Sequence, residues 1–382
     1  MVVRVDVSPA VLAWAKARSG VDEASLAHRF PKLAEWEHGD RSPTLKQLED
    51  FAAATHTPIG YLLLGEPPVE QVPIPDYRTM GDFGVTRPSA DLLDTIFHCQ
   101  QRQEWYRSFA QVNQEDRVPF VGSLTTQTPV VEAASAMREA LHFEVSERGP
   151  TFTEALRRLA EDAEERGVLV MVNGVVGSNT HRKLNPREFR GFALVDQLAP
   201  LVFVNGADTK AAQIFTLAHE LAHLWLGESA LSDADLTIRP SLVGERWCNE
   251  VAAEFLVPMA LVAAEFNESE ERTAALDRLA IRFKVSTLVV LRRLHDAGHL
   301  GWDAYRLAYQ TELARVLALL GERADSGGNF YNTQPVRVSK RFARALISST
   351  LEGQTLYTEA FEMLGFKKLS TFRELSSRLG VA

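Results

Sequence analysis

The run Ile214-Phe215-Thr216-Leu217-Ala218-His219-Glu220-Leu221-Ala222-His223 decides the reading of this 382-residue chain. Residues 216–225 hold neither Pro nor Gly, and Gly227 stands where a helix C-cap belongs, so one helix is predicted here. Residues four apart on a helix share a face one turn apart, so His219 and His223 present two imidazoles to a single metal ion. Glu220 follows the first of them and is placed to act as general base on a water held by that ion. The competing reading is a buried helix whose histidines are merely packed and hydrogen-bonded. The expected metal is zinc.

A catalytic zinc site takes three protein ligands and keeps a fourth position for water. The extension that supplies a third histidine is absent, because Leu226 stands three residues after His223 where glycine is required. A carboxylate on a later helix is therefore expected, and the candidate segment is Glu245-Arg246-Trp247-Cys248-Asn249-Glu250-Val251-Ala252-Ala253-Glu254-Phe255-Leu256-Val257-Pro258. At helical spacing Glu245 shares a face with Asn249, Ala252 and Leu256. Glu250 and Glu254 form an i,i+4 pair pointing elsewhere, onto an expected solvated face. The small Ala252 and Ala253 allow close approach to the His219 helix. Glu245 is the expected ligand.

Together, Thr216-Leu217-Ala218-His219-Glu220-Leu221-Ala222-His223 and Glu245-x-x-Cys248-Asn249-x-x-Ala252-Ala253-x-x-Leu256-x-Pro258 resemble the ImmA/IrrE family of metallopeptidases. The resemblance implies that His219, His223 and Glu245 bind zinc and that Glu220 is the base. The family's usual Ala-Asn is Cys-Asn here. Cys248 is a soft donor three residues past the proposed ligand, and its alternative role is that of a small buried residue.

Composition agrees with a cytoplasmic enzyme or regulator. The length suggests two or three domains, and 46% hydrophobic residues can fill their cores. Two cysteines, Cys99 and Cys248, cannot build a disulfide framework. Charges at Arg4 and Asp6 interrupt the place where a signal peptide needs an apolar stretch. The longest apolar run, residues 168–176, is broken by Asn173 and Gly174, too short for a bilayer and rich in β-branched residues, so it reads as a buried strand. No membrane partner is expected.

The expected fold class is mostly α with an α+β part: a five-helix N-terminal domain, a helical middle, a zincin-like domain with a small sheet beside the His219 helix, and a helical C-terminal region. The boundaries are 1–66, a Pro-rich linker over 67–88, a helical connection over 89–150, the peptidase domain over 151–300 and the C-terminal region over 301–382. Within the peptidase domain, a helix over 153–166 leads to strands at 168–172, 192–195 and 201–204. A loop is expected at Asp325-Ser326-Gly327-Gly328-Asn329.

Leu26-Ala27, Trp36-Glu37-x-Gly39-x-x-x-Pro43-Thr44-x-x-Gln47-Leu48 and Phe51-Ala52 resemble an Xre-type (Cro/cI-like) helix-turn-helix domain. That resemblance implies a helix before Trp36 that enters the major groove. Here the segment between Ala27 and Trp36 is about four residues short of the usual motif, and Pro31 sits where the recognition helix begins. Lys32 and Glu35 stand where base-reading Arg, Asn or Gln usually lie. Up to Thr79 there are eight cations against eleven anions, with no basic stripe for phosphates. DNA binding stays an open alternative beside a protein-contact or dimerisation role.

The resemblances imply a regulator of narrow specificity whose partner is a repressor-like protein substrate or a cognate toxin. In the expected mechanism zinc polarises the scissile carbonyl, and Glu220 moves a proton from water to the leaving amine. His181, Arg190 and Tyr331 are candidates for oxyanion assistance by loop position. The strand at 192–195 either pairs with an extended substrate at a sheet edge or is an ordinary interior strand. Two basic stretches, Arg282 to Leu294 and Gln334 to Arg344, are expected as a structural helical hairpin and a solvated helix start, with nucleic acid the alternative for each and an acidic partner a further one for the second.

Overall fold

Five apolar or amide residues in a row, Leu169–Asn173, form the first strand (β1), buried along its whole length. Continuous rather than alternating burial is the mark of a strand covered on both faces. A two-stranded antiparallel hairpin follows, β2 (Val175–Val176) with β3 (Asn179–Lys183). Then come β4 (Gly191–Leu194), β5 (Leu201–Asn205) and the short β6 (Ala230–Ser232). The main sheet has the order β1-β5-β4-β6. β1 runs parallel to β5 with Val170 opposite Val202, and β4 lies antiparallel between β5 and β6.

The chain is described here from a computed structural model that covers residues 3–76, 88–232, 242–321 and 330–381, apart from the side chains of 317, 319–321 and 330–333. The expected loop at 325–329 and half of the linker, residues 77–87, lie outside this range. The described residues are mostly helical, as the sequence predicts, with the small mixed sheet confined to the middle of the chain. Among them, no single helix is long and apolar enough to cross a membrane.

Two compact units emerge. The first comprises residues 1–73 and 85–96, the second 74–84 and 97–382. In the first, five helices run from Pro9–Ser19 to Ile59–Leu62. Its core is aromatic: Phe30 meets Phe51 edge-on at 5.5 Å between ring centres, and Trp36 meets Phe51 at 6.4 Å. Thr44 and Gln47 form a capping box on the helix Leu45–Ala54. The helix ending before Gly39, Leu33–Glu37, is only five residues long. Its brevity follows from Pro31, which lies in the turn just before it.

In the second unit the helix Lys210–Leu226, hereafter the histidine helix, packs on β4 and β5. Thr209 caps its start by accepting from the Ala212 amide at 3.2 Å, and Gly227 ends it in the left-handed region at φ 78°. Every residue from Gln213 to Trp225 is buried, so this is a core helix rather than an amphipathic surface one. At the helix end the carbonyls of Leu224, which also accepts from the Gly227 amide at 3.1 Å, and Trp225 accept from the amides of Gly122 and Leu124, both at 3.0 Å. Phe120 stacks on Trp225 with ring centres 3.8 Å apart.

The helix Val243–Leu256, the glutamate helix, packs on both the histidine helix and the helix Val130–Leu141. Arg148 secures its C-terminal end. This fully buried guanidinium donates to the carbonyls of Leu256 at 2.6 Å, Phe283 at 2.7 Å and Phe255 at 3.0 Å.

Candidate metal centre

The histidine helix places His219 and His223 one turn apart, both wholly buried, with their Nε2 atoms 3.1 Å from each other. Glu245, in the first turn of the glutamate helix, reaches both. Its Oε1 is 2.9 Å from His223 Nε2 and its Oε2 is 3.4 Å from His219 Nε2. One potential ligand atom from each of the three residues falls within 4.8 Å of the others. Small buried residues lie on both helices, Ala222 on the first and Ala252 and Ala253 on the second.

The donor set fits a metal ion. Two imidazole nitrogens and a carboxylate converge in a buried place, a grouping of lone pairs that a cation relieves. Burial pushes the pKa of His223 down, against the influence of Glu245, which favours the neutral ring whose lone pair a metal takes. Burial would raise the pKa of Glu245, but His219 and His223 beside it outweigh that and hold the carboxyl well below its usual range. Two nitrogens and one carboxylate oxygen suit zinc and its neighbours among the first-row metals. Cys248 is not part of the cluster, and burial pushes its thiol well above the ordinary value.

Glu220 is wholly buried beside the first histidine. Gly191, the first residue of β4, explains how the helix comes so close to the sheet. A Cβ there would lie 2.5 Å from Thr216 Cγ2, 2.8 Å from the Phe203 carbonyl oxygen and 3.1 Å from Glu220 Cγ. Sequence reasoning misses Gly191, because a glycine opening a strand carries no local sign of what stands across from it. Asn249, one turn after Glu245, is also buried, and its Oδ1 has no hydrogen-bond partner among the described residues.

Several expectations require correction. Glu250 is exposed as predicted, but Glu254 is not. It is buried, pairs with Arg293 and accepts from the Met259 amide at 3.2 Å. Of the two readings left open for the strand at 192–195, the interior one holds, because the three-residue β6 covers the side away from β5. Beyond β6 lies residues 74–76: the Leu231 amide donates to the Pro75 carbonyl at 2.9 Å. His181 is exposed on β3 of the hairpin. Arg190 is half-buried, 3.8 Å from Asp208, and immediately precedes Gly191. Tyr331 belongs to the helix Phe330–Val338, and its side chain lies outside the described residues.

Most cations of the two basic stretches are engaged within the fold. Ser286 caps the helix Thr287–Asp296, completing the expected hairpin with the helix Arg272–Phe283. Its cations are engaged: Arg282 with Glu265 at 3.3 Å, Arg292 with Asp296 at 3.0 Å, and Arg293 with Glu254. In the second stretch the helix start is docked rather than solvated. Lys340 pairs with Glu161 at 2.5 Å and Arg341 with Glu115 at 2.9 Å.

Comparison with known families bears on this geometry. Residues 163–295 match the M78 peptidase family model, described as an IrrE N-terminal-like domain. The M78 stretch runs from the end of the helix Phe152–Glu165 to the helix Thr287–Asp296, and so contains His219, Glu220, His223 and Glu245. It supports the ImmA/IrrE resemblance and a metallopeptidase-type function. Residues 338–378 match a second model, described as a domain of unknown function. No curated protein matches the chain.

Proposed function

We propose that this chain is a zinc-dependent endopeptidase that cleaves one regulatory protein of the repressor type. The observation that carries this reading is the buried convergence of His219, His223 and Glu245, with Glu220 adjacent in the M78 stretch. A purely structural zinc site has no use for that second carboxylate. Zinc bound there supplies Lewis acidity toward the scissile carbonyl. Glu220 takes a proton from the attacking water and delivers it to the leaving amine. The buried surroundings of Glu220 limit competing solvent and strengthen its electrostatic effect. Arg190, adjoining Gly191, is the best placed of the three oxyanion candidates.

The N-terminal five-helix unit, read as an Xre-type module, selects the partner. A protein contact or dimer suits it better than DNA. The segment in place of a recognition helix is five residues long and carries Glu35 and Glu37, and Lys16 is bound to Glu37 at 2.9 Å. Both cysteines are free and buried, which suits a reducing cytoplasm.

The test is a comparison of newly formed protein N-termini in cells producing the wild-type chain or its Glu220→Gln variant. A very small set of cleavages present only with the wild type is expected. Identical sets, with a regulatory phenotype retained by the variant, would leave a non-proteolytic regulator or antitoxin that binds its partner.

A further inference from the structure

A cavity away from the metal centre lies among the helix Phe152–Glu165, strand β1, the start of the histidine helix and the end of the helix Phe330–Val338. Its volume is ≈ 450 Å³, within the range of small-molecule pockets. Leu156, Ala160, Val170, Val172 and Val336 give it apolar walls. Gly174 and Gly206 also line it, packed so closely that a Cβ on Gly174 would lie 2.9 Å from the Ala207 amide nitrogen and one on Gly206 2.9 Å from that of Gly174. Bare backbone is therefore exposed to an occupant at that side.

The charges around this apolar space do not balance. Its acids, Glu161 and Glu164, are already engaged. Glu161 pairs with Arg157 and Lys340, and Glu164 accepts from the Ser339 hydroxyl at 2.5 Å and the Lys340 amide at 2.8 Å. Two further cations line the cavity without a carboxylate among the described residues. Lys210 donates only to Gln213 Oε1, at 3.0 Å. Arg337 is half-buried and makes neither a hydrogen bond nor an ion pair among the described residues. Burial pulls its pKa below the ordinary value with no acid to offset it. A guanidinium desolvated beside apolar walls lacks the charged acceptor that an anion supplies.

We propose that this cavity binds a small amphipathic anion, its carboxylate or phosphate head held by Lys210 and Arg337 and its apolar body lying against Leu156, Val170 and Val172. Such an occupant touches the first residue of the helix that carries His219 and, through Val336 and Arg337, the C-terminal part of the chain. The proposal does not depend on zinc or on peptidase activity.

Isothermal titration calorimetry on the full chain tests it, with octanoate and octyl phosphate as the anionic probes and octylammonium as the cationic control. Saturable binding of at least one anion to a single site is expected, with none of the cation; the probe that binds identifies the preferred head group. Neither Lys210 nor Arg337 ties another element by an ion pair, so the double variant Lys210→Gln/Arg337→Gln should fold with an unchanged melting temperature and bind at least tenfold more weakly. Ala160→Trp, which fills the apolar end, should abolish binding, whereas His219→Ala should leave it intact. The proposal is overturned if neither anion binds saturably, if octylammonium binds equally well, or if the double variant binds as the wild type does.

Discussion

Gly191 lies directly against Glu220: a Cβ on the glycine would stand 3.1 Å from Glu220 Cγ. The two residues belong to different elements, the first strand residue of β4 and the middle of the histidine helix, and their contact sets how closely the helix can rest on the sheet. The absence of one methyl group thus positions the proposed base.

Gly191→Ala should therefore damage both packing and chemistry. The added methyl meets Thr216 Cγ2 at 2.5 Å and the backbone oxygen of Phe203 at 2.8 Å, and the latter cannot rotate away. Overpacking of this kind costs about 1–3 kcal/mol. Urea unfolding should show that loss, and Thr216→Ser in the same chain should restore only part of it. Unchanged stability and unchanged metal content in Gly191→Ala would contradict the packing described here.

Arg148 holds three carbonyls at the junction of the glutamate helix and the helical hairpin without any acid as hydrogen-bond partner. Replacing it by Ala strands buried acceptors and should destabilise the chain by about 3–5 kcal/mol. Arg148→Lys should recover little, since an ammonium cannot reproduce the planar fork. A loss below about 1 kcal/mol in equilibrium unfolding of Arg148→Ala would show that water replaces these bonds without penalty.

Glu164 gives a pH dependence. Burial raises its pKa from 4.5 to about 7, outweighing the hydrogen bond from Ser339 and those from the Lys340 and Arg341 amides. Between those values the folded chain keeps a proton that the unfolded chain releases. The stabilising contribution is thus complete below pH 4.5 and is lost as the pH rises to about 7. The change amounts to about 3 kcal/mol at 1.36 kcal/mol per unit. Unfolding free energies of wild type and Glu164→Gln, compared from pH 4.5 to 7.5, should shift by that amount in favour of the variant. A difference that stays constant across the range would remove Glu164 from the account.

What was legible in the sequence was local. The histidine helix, its Gly227 cap and the helix face led by Glu245 all follow from helical period and end chemistry within a few residues. The misread residues depend on distant partners. Glu254 looks like half of a solvated pair until Arg293, on another helix, is seen to bury it. Residues 192–195 read equally as edge or interior strand, because β6, only three residues long, leaves no readable pattern. Lys340 and Arg341 read as a basic surface although Glu161 and Glu115 neutralise them from far upstream. Gly191 carries no signal at all, since what forbids a side chain there is the Thr216–Glu220 turn across the sheet.

The central claim is that His219, His223 and Glu245 form a zinc site served by Glu220. Elemental analysis of the purified chain tests it most directly, with His219→Ala, Glu245→Gln and Glu220→Gln measured alongside. The wild type and Glu220→Gln should each carry about one zinc per chain, and the two ligand variants should carry little or none. A well-folded wild type without metal, or undiminished zinc in His219→Ala, would contradict it.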